Sequence, residues 1–189
     1  MLILIGKTAS GKNLIRDVLQ KKYEYKPIVT YTSRPMRKGE KQDITYHFIS
    51  KEDFEQKIEN GFFTEWKKYD TNKGTWYYGT ALEDCINSSY KDVIILTPEG
   101  AIDVINSGVQ CVVIYVYSNI DTIRKRLALR GDDKNECERR IKADNVDFKD
   151  ADMLSERIIY NNFNDDIETV TSNINFYYKK IFKEKFDER

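Results

Sequence analysis

Near the N-terminus, Gly6-Lys7-Thr8-Ala9-Ser10-Gly11-Lys12 has the residue types and spacing that can cradle a chain of phosphates. The segment matches GxxxxGK, with the apolar run Leu2 to Ile5 before it and a helical pattern after it. Glycines let successive backbone N–H groups turn inward as an anion nest, and the start of the following helix adds its positive end. Lys12 supplies a full charge to the outer phosphates. A plain glycine turn between strand and helix is the alternative, and it has no need of a lysine at this position. The next residue in such loops is normally Ser or Thr, whose hydroxyl ligates magnesium. Here it is Asn13, whose amide oxygen can also coordinate a metal but from a longer side chain.

The elements that must hold this loop follow from the hydrophobic pattern. Leu14, Ile15, Val18 and Leu19 recur at helical spacing after the loop. The apolar runs Val93 to Leu96 and Val112 to Val116 each precede a helix-like segment, and Ile158 to Tyr160 precedes a terminal helix expected over Asp165 to Phe182. Strands alternating with helices predict an α/β fold with a parallel sheet covered on both faces. Residues 30–80 break this rhythm. They are rich in Tyr, Trp and Phe, with β-rich pieces at Thr45 to Ile49, Phe62 to Tyr69 and Thr75 to Tyr78. Lys51 to Asn60, ending at Gly61, reads as a helix with its cap. The stretch is expected to be an inserted, partly antiparallel subdomain. Arg124 to Met153 is charged and helical in pattern, and the tail from Lys179 is expected to extend the last helix and fray.

Lys plus Arg and Asp plus Glu both total 31, so the formal net charge is zero, which argues against a general nucleic-acid or membrane-surface binder. The N-terminal apolar run is too short for a signal peptide or a membrane span. Cys85, Cys111 and Cys137 are odd in number and lack a CxxC spacing, which fits a reduced, cytoplasmic protein without a zinc site. The single histidine, His47, alternates away from Tyr46 and Phe48 and reads as a supporting residue.

Five separated segments narrow the reading. They are the loop itself; Thr30-Tyr31-Thr32-Ser33-Arg34-Pro35-Met36-Arg37-Lys38-Gly39-Glu40 followed by Tyr46-His47-Phe48; Gly61-Phe62-Phe63-Thr64-Glu65-Trp66; Tyr77-Tyr78-Gly79-Thr80; and Arg126-Leu127 with Arg130-Gly131 and Arg140. In this order, over roughly residues 2 to 163, the chain resembles the guanylate kinase family of P-loop nucleoside monophosphate kinases. The resemblance implies a P-loop core (1–29, 81–123 and 155–189), a nucleotide-monophosphate insertion (30–80) and a helical lid (124–154). It also implies phosphoryl transfer from ATP, with Mg2+, to GMP or dGMP.

Carried over by residue, the resemblance places ATP on Gly6, Thr8, Ala9, Ser10, Gly11, Lys12 and Asn13, with Asn161 near the adenine and Asn13 as metal ligand. It places the acceptor phosphate on Arg34 and Arg37, helped by the hydroxyls of Tyr46 and Tyr78. Glu65 would accept from guanine N1–H and the exocyclic amine, while Thr30 and Thr80 donate to O6. Lys12, Arg34, Arg126, Arg130 and Arg140 would carry the chemistry, the last three by neutralising charge on the moving group. Tyr77 is expected to be cross-strand packing. The chain departs from the family at the third core strand. Where active members end in Asp-x-Asp, this sequence has Ile95-Leu96-Thr97, followed by Pro98-Glu99-Gly100. Thr97 can still bond the guanine amine. Three readings stay open at this level: a divergent guanylate kinase, a kinase for another base, and a kinase-dead module binding a phosphopeptide or protein. Retention of Gly6, Gly11, Lys12 and the lid arginines favours a kinase, since a binding module needs no ATP loop.

Overall fold

A computed structural model describes residues 1–37, 39–71 and 74–187. Lys38 of the arginine segment, Asn72 and Lys73 of the insertion and the last two residues of the tail lie outside the described residues. In chain order the elements begin β1 (Leu2–Ile5), α1 (Lys12–Tyr23), β2 (Lys26–Pro27), β3 (Tyr31–Thr32), β4 (His47–Phe48) and α2 (Lys51–Glu59). Next come β5 (Phe63–Thr71), β6 (Gly74–Ala81), α3 (Leu82–Ile86), β7 (Asp92–Ile95), α4 (Pro98–Asn106) and β8 (Val112–Tyr117). The chain continues through α5 (Ile120–Leu129), α6 (Lys134–Asp147), α7 (Ala151–Leu154), β9 (Arg157–Tyr160) and α8 (Ile167–Phe182), then a π-helical turn, Lys183–Asp187. Two compact units result. The first comprises 1–27, 90–102 and 110–189, and the second 28–89 with 103–109.

The first unit is built on a sheet in the order β2-β7-β1-β8-β9, with every neighbouring pair parallel. Both faces of such a sheet are covered, so its inner strands are continuously apolar. All of β1 is buried, and Leu2 and Leu4 join Ile15 and Leu19 of α1 and Val170, Ile174 and Tyr178 of α8 in one core. Each such side chain contributes about 1.5–3 kcal/mol on burial. Tyr178 donates to the Tyr90 carbonyl (2.7 Å) and Tyr25 to Asn175 Oδ1 (3.1 Å), and burial holds both phenols well above their ordinary pKa.

The charged stretch expected to be helical breaks into three helices. Gly131 takes φ 71°, which reverses the chain after α5, and Asp133 then caps α6 by accepting the Glu136 N–H. The tail differs from the fraying expected of it. Phe186 lies 4.7 Å from Phe182 between ring centres, and Lys185 donates to the Cys111 carbonyl (3.2 Å) and pairs with Glu156. Helical periodicity says nothing of partners 29 and 74 residues away, and those partners hold the tail.

The second unit carries a mixed sheet, β4-β3-β6-β5, in which β3 and β4 are parallel and the other pairs antiparallel. Ser50 caps α2 by accepting the Asp53 N–H, and Gly61 at φ 64° follows its end. Phe54 of α2 is fully buried, stacked on Phe63 and Tyr77 at 4.4 and 5.3 Å. Tyr77 is thus a packing residue, with its hydroxyl donating to Glu55. All three cysteines are free and buried. Among the described residues no helix is long and apolar enough to cross a membrane.

Candidate functional site

In the first unit the GxxxxGK loop runs from the end of β1 into α1, where the following helix can add its dipole to the inward-turned amides. Its backbone needs the residues it has. A Cβ on Gly6 would lie 2.6 Å from the Val116 carbonyl oxygen, and Gly11 sits at φ 95°. Ala9 also takes a left-handed conformation, φ 54°. Lys12 Nζ donates to the carbonyls of Gly6 (2.5 Å) and Lys7 (2.9 Å), with Ser10 Oγ at 3.4 Å. Burial pulls its pKa down to about 8, a shift that the nearby Asp144 carboxylate opposes. Asn13 is exposed in the first turn of α1, one residue beyond Lys12.

The loop rests on a buried polar frame. Asn161, 1% exposed, donates from Nδ2 to the Ser10 carbonyl (2.8 Å), against the face of Gly11 where a Cβ would sit. Arg126 donates to the Ala9 carbonyl (3.1 Å), Ser118 Oγ (3.3 Å), Asn161 Oδ1 (3.2 Å) and the Asn162 carbonyl (3.0 Å). Burial lowers its pKa. The structure therefore places Arg126 beneath the loop backbone. Arg130 and Arg140 lie on the surface instead, paired with Asp132 (3.4 Å) and Glu136 (2.8 Å). Hydrogen bonds from Arg139 and Arg140 pull the Glu136 carboxyl down to about 2.

The second unit gathers the residues expected to hold the acceptor. Arg34, 6% exposed, donates from Nε to the Tyr78 hydroxyl (3.1 Å) and forms a two-pronged pair with Glu40 (2.7 and 2.5 Å). It also donates to the Pro35 carbonyl (2.9 Å), so four of its five N–H donors are engaged. The Tyr46 ring lies 5.2 Å from its guanidinium carbon. Hydrogen bonding to Glu40 raises the Arg34 pKa and holds Glu40 below its ordinary value. Arg37 is exposed, and its backbone N–H donates to Glu40 (2.7 Å).

Glu65 reaches Thr80 through a β-bulge. Phe63 pairs with Ala81 but Glu65 pairs with Thr80, so two steps along β5 match one along β6. The Thr80 hydroxyl, fully buried, donates to Glu65 Oε1 at 2.5 Å. Gly79 allows the approach, since a Cβ there would lie 3.0 Å from Phe54 and Phe63 and 3.1 Å from the Glu65 carbonyl. Thr30 is half-buried, and its carbonyl accepts the His47 N–H (2.9 Å). His47 contacts Asp43 (2.7 Å) and the Tyr31 ring, a supporting position.

Thr97 belongs to the first unit. Its Oγ1 accepts the Gly100 N–H (3.2 Å), capping α4, whose first residue is Pro98. Sequence reasoning missed this role, although Thr-Pro ahead of a helical run is the signal for it. It also missed Glu40 as the partner of Arg34, and Asp144, which accepts the Thr8 backbone N–H at 2.6 Å. Glu40 lies six residues from Arg34 in the same motif, whereas no local signal marks Asp144, 136 residues from Thr8.

Comparison with known proteins places this arrangement. The family model described as Guanylate kinase matches residues 1–177. The guanylate kinase of Chlorobium luteolum is 29% identical over 177 residues, covering 90% of this chain and 88% of its own. That of Bdellovibrio bacteriovorus is 30% identical over 135 residues, covering 69% of this chain and 71% of its own. Among solved structures, the guanylate kinase from Anaplasma phagocytophilum is similar with a TM-score of 0.66 over 95% of this chain and 84% of that chain, at 19% identity.

Proposed function

Because this chain belongs to the guanylate kinase family, we propose that it transfers the terminal phosphoryl group of ATP to GMP or dGMP, releasing ADP and GDP or dGDP. It is a nucleoside monophosphate kinase. Its division into a P-loop core, an acceptor-binding insertion (30–80) and a helical lid (124–154) is part of the same reading, as is a cytoplasmic location suited to three reduced cysteines. The observation that carries the acceptor assignment is the Thr80–Glu65 contact. A carboxylate held at the bulge can accept the N1–H and exocyclic amine of guanine, a donor pair adenine does not present there. Leaving such a half-buried acceptor without its base partner is what rejects the wrong base.

Arg34 has one N–H left for the acceptor phosphate, and Arg37 adds a second, exposed cation. The Tyr46 ring lies over the same guanidinium, and the Tyr78 hydroxyl accepts from its Nε. Lys12 holds the outer phosphates of ATP, and the amides from Thr8 to Gly11 hold the inner ones. Arg126 acts through the loop it braces, with Asn161. Arg130 is exposed and Arg140 half-buried, and their ion pairs near the surface are weak enough to exchange for a phosphate oxygen. Asn13 fits a magnesium ion: it is exposed beside Lys12, and its amide oxygen is a hard, neutral donor that would hold the metal together with the nucleotide. When bound, the ion neutralises charge on the phosphate oxygens.

A coupled ADP-release assay with Mg-ATP against GMP, dGMP, AMP, CMP, UMP and dTMP tests this reading. Turnover confined to GMP and dGMP is expected. Turnover with another base would remove the Glu65 assignment, and silence across the panel in a folded protein would remove the kinase.

A further inference from the structure

One backbone donor of the phosphate loop is taken by a carboxylate from elsewhere in the chain. The Thr8 N–H donates to Asp144 Oδ2 at 2.6 Å, on the short side of N–H···O bonds, as an ionised acceptor favours. Beside it, Lys7 Nζ donates to Asn145 Oδ1 at 2.7 Å. Both acceptors stand in the last turn of α6, which contains no basic residue and ends with Asp144 and Asp147. Carboxylates at the negative end of a helix are unfavourable by themselves. Asp144 is also half-buried, and that burial raises its pKa against the pull of the Thr8 N–H, Lys12 and Lys7. The compensation for both costs comes from the loop: an amide donor and two lysines.

Apolar contacts set the helix in place for this. Ile123 and Leu127 of α5 pack with Cys137 and Ile141 of α6, and Ala9 of the loop packs against them. A carboxylate on an anion nest presents two acceptor oxygens and a negative charge, as a phosphate oxygen pair does. We propose, resting on the kinase reading above, that Asp144 is an internal stand-in for phosphate: it latches the end of α6 onto the loop and must be displaced when the phosphates of ATP bind. The latch scales ATP affinity down to the fraction of molecules in which the loop is free, and it couples nucleotide arrival to release of the helix.

Asp144→Ala and Asp144→Asn, compared with the unaltered chain, test this by two measurements. Calorimetric titration with ATP is expected to give about tenfold tighter binding for Asp144→Ala and a smaller gain for Asp144→Asn, which keeps an acceptor oxygen but loses the charge. Hydrogen exchange in nucleotide-free samples is expected to be faster across 134–147 in Asp144→Ala, and in the parent chain it should speed up there on adding ATP. If Asp144→Ala fails to fold, Asp144→Asn is read in the same direction. Unchanged or weaker ATP binding by the variants, with the parent chain binding ATP, overturns the latch alone. No ATP binding by any of the three proteins overturns the latch and the kinase reading together.

Discussion

Lys12 carries its charge at a cost, and the cost has a pH signature. With burial holding its pKa at about 8, the side chain loses its proton in the nucleotide-free protein above that pH. The phosphates of ATP favour the ammonium, so the bound state holds the proton to higher pH. ATP affinity is therefore expected to be level below pH 8 and to fall above it, with net proton uptake on binding at pH 9, read by calorimetry in buffers of different ionisation enthalpy. Zero uptake there would mean that Lys12 does not change its charge on binding. For folding the sign is opposite: the unfolded chain binds more protons between about pH 8 and the ordinary lysine value, so this group's contribution to stability rises across that window. Lys12→Ala should abolish turnover while leaving GMP binding within about twofold of the parent, since the acceptor residues belong to the other unit. Glu65→Ala should weaken GMP binding by roughly 10–100-fold, the cost of losing a charged hydrogen-bond pair, and leave ATP binding unchanged. Equal losses for both nucleotides in the Glu65 variant would move the base pocket elsewhere.

At the scale of elements, the bulge on β5 and the glycine on β6 act as one device. The extra residue between Phe63 and Glu65 sets the carboxylate opposite Thr80, and Gly79 keeps the space that the Phe54 and Phe63 rings fill. Gly79→Ala puts a methyl group 3.0 Å from both rings and 3.1 Å from the Glu65 carbonyl. Overpacking of this kind costs about 1–3 kcal/mol, measurable as a lower urea midpoint. The variant is also expected to bind GMP less tightly, because the backbone of Glu65 must shift. A loss of stability with unchanged GMP affinity would separate the bulge from base recognition.

For the whole molecule, ligand binding must appear as stability. A nucleotide at one hundred times its dissociation constant adds about 2.7 kcal/mol to the native state. Melting curves with saturating Mg-ATP and with saturating GMP are each expected to shift upward by roughly 5–10 °C, on the scale set by a chain of this size. No shift with either nucleotide would contradict a nucleotide site on that unit. The packed tail contributes to the same global stability through Phe186 and Lys185, which tie the end of the chain to α8, Cys111 and Glu156.

What could be read from the sequence was local. The apolar run, the glycines and Lys12 specify the loop within a dozen residues; continuous apolar runs specify the central strands, because both their faces are covered, and a period of 3.6 specifies the helices. Arg34 with Tyr46 and Tyr78, and Glu65 with Thr80, could be grouped as motifs without knowledge of their geometry. Tertiary structure alone decided which partners the charged groups meet. Arg126 turns under the loop to Asn161, 35 residues away, and Asp144 crosses 136 residues to reach the Thr8 amide. These contacts depend on how packed elements bring distant side chains together, and residue type and spacing along the chain carry no record of that.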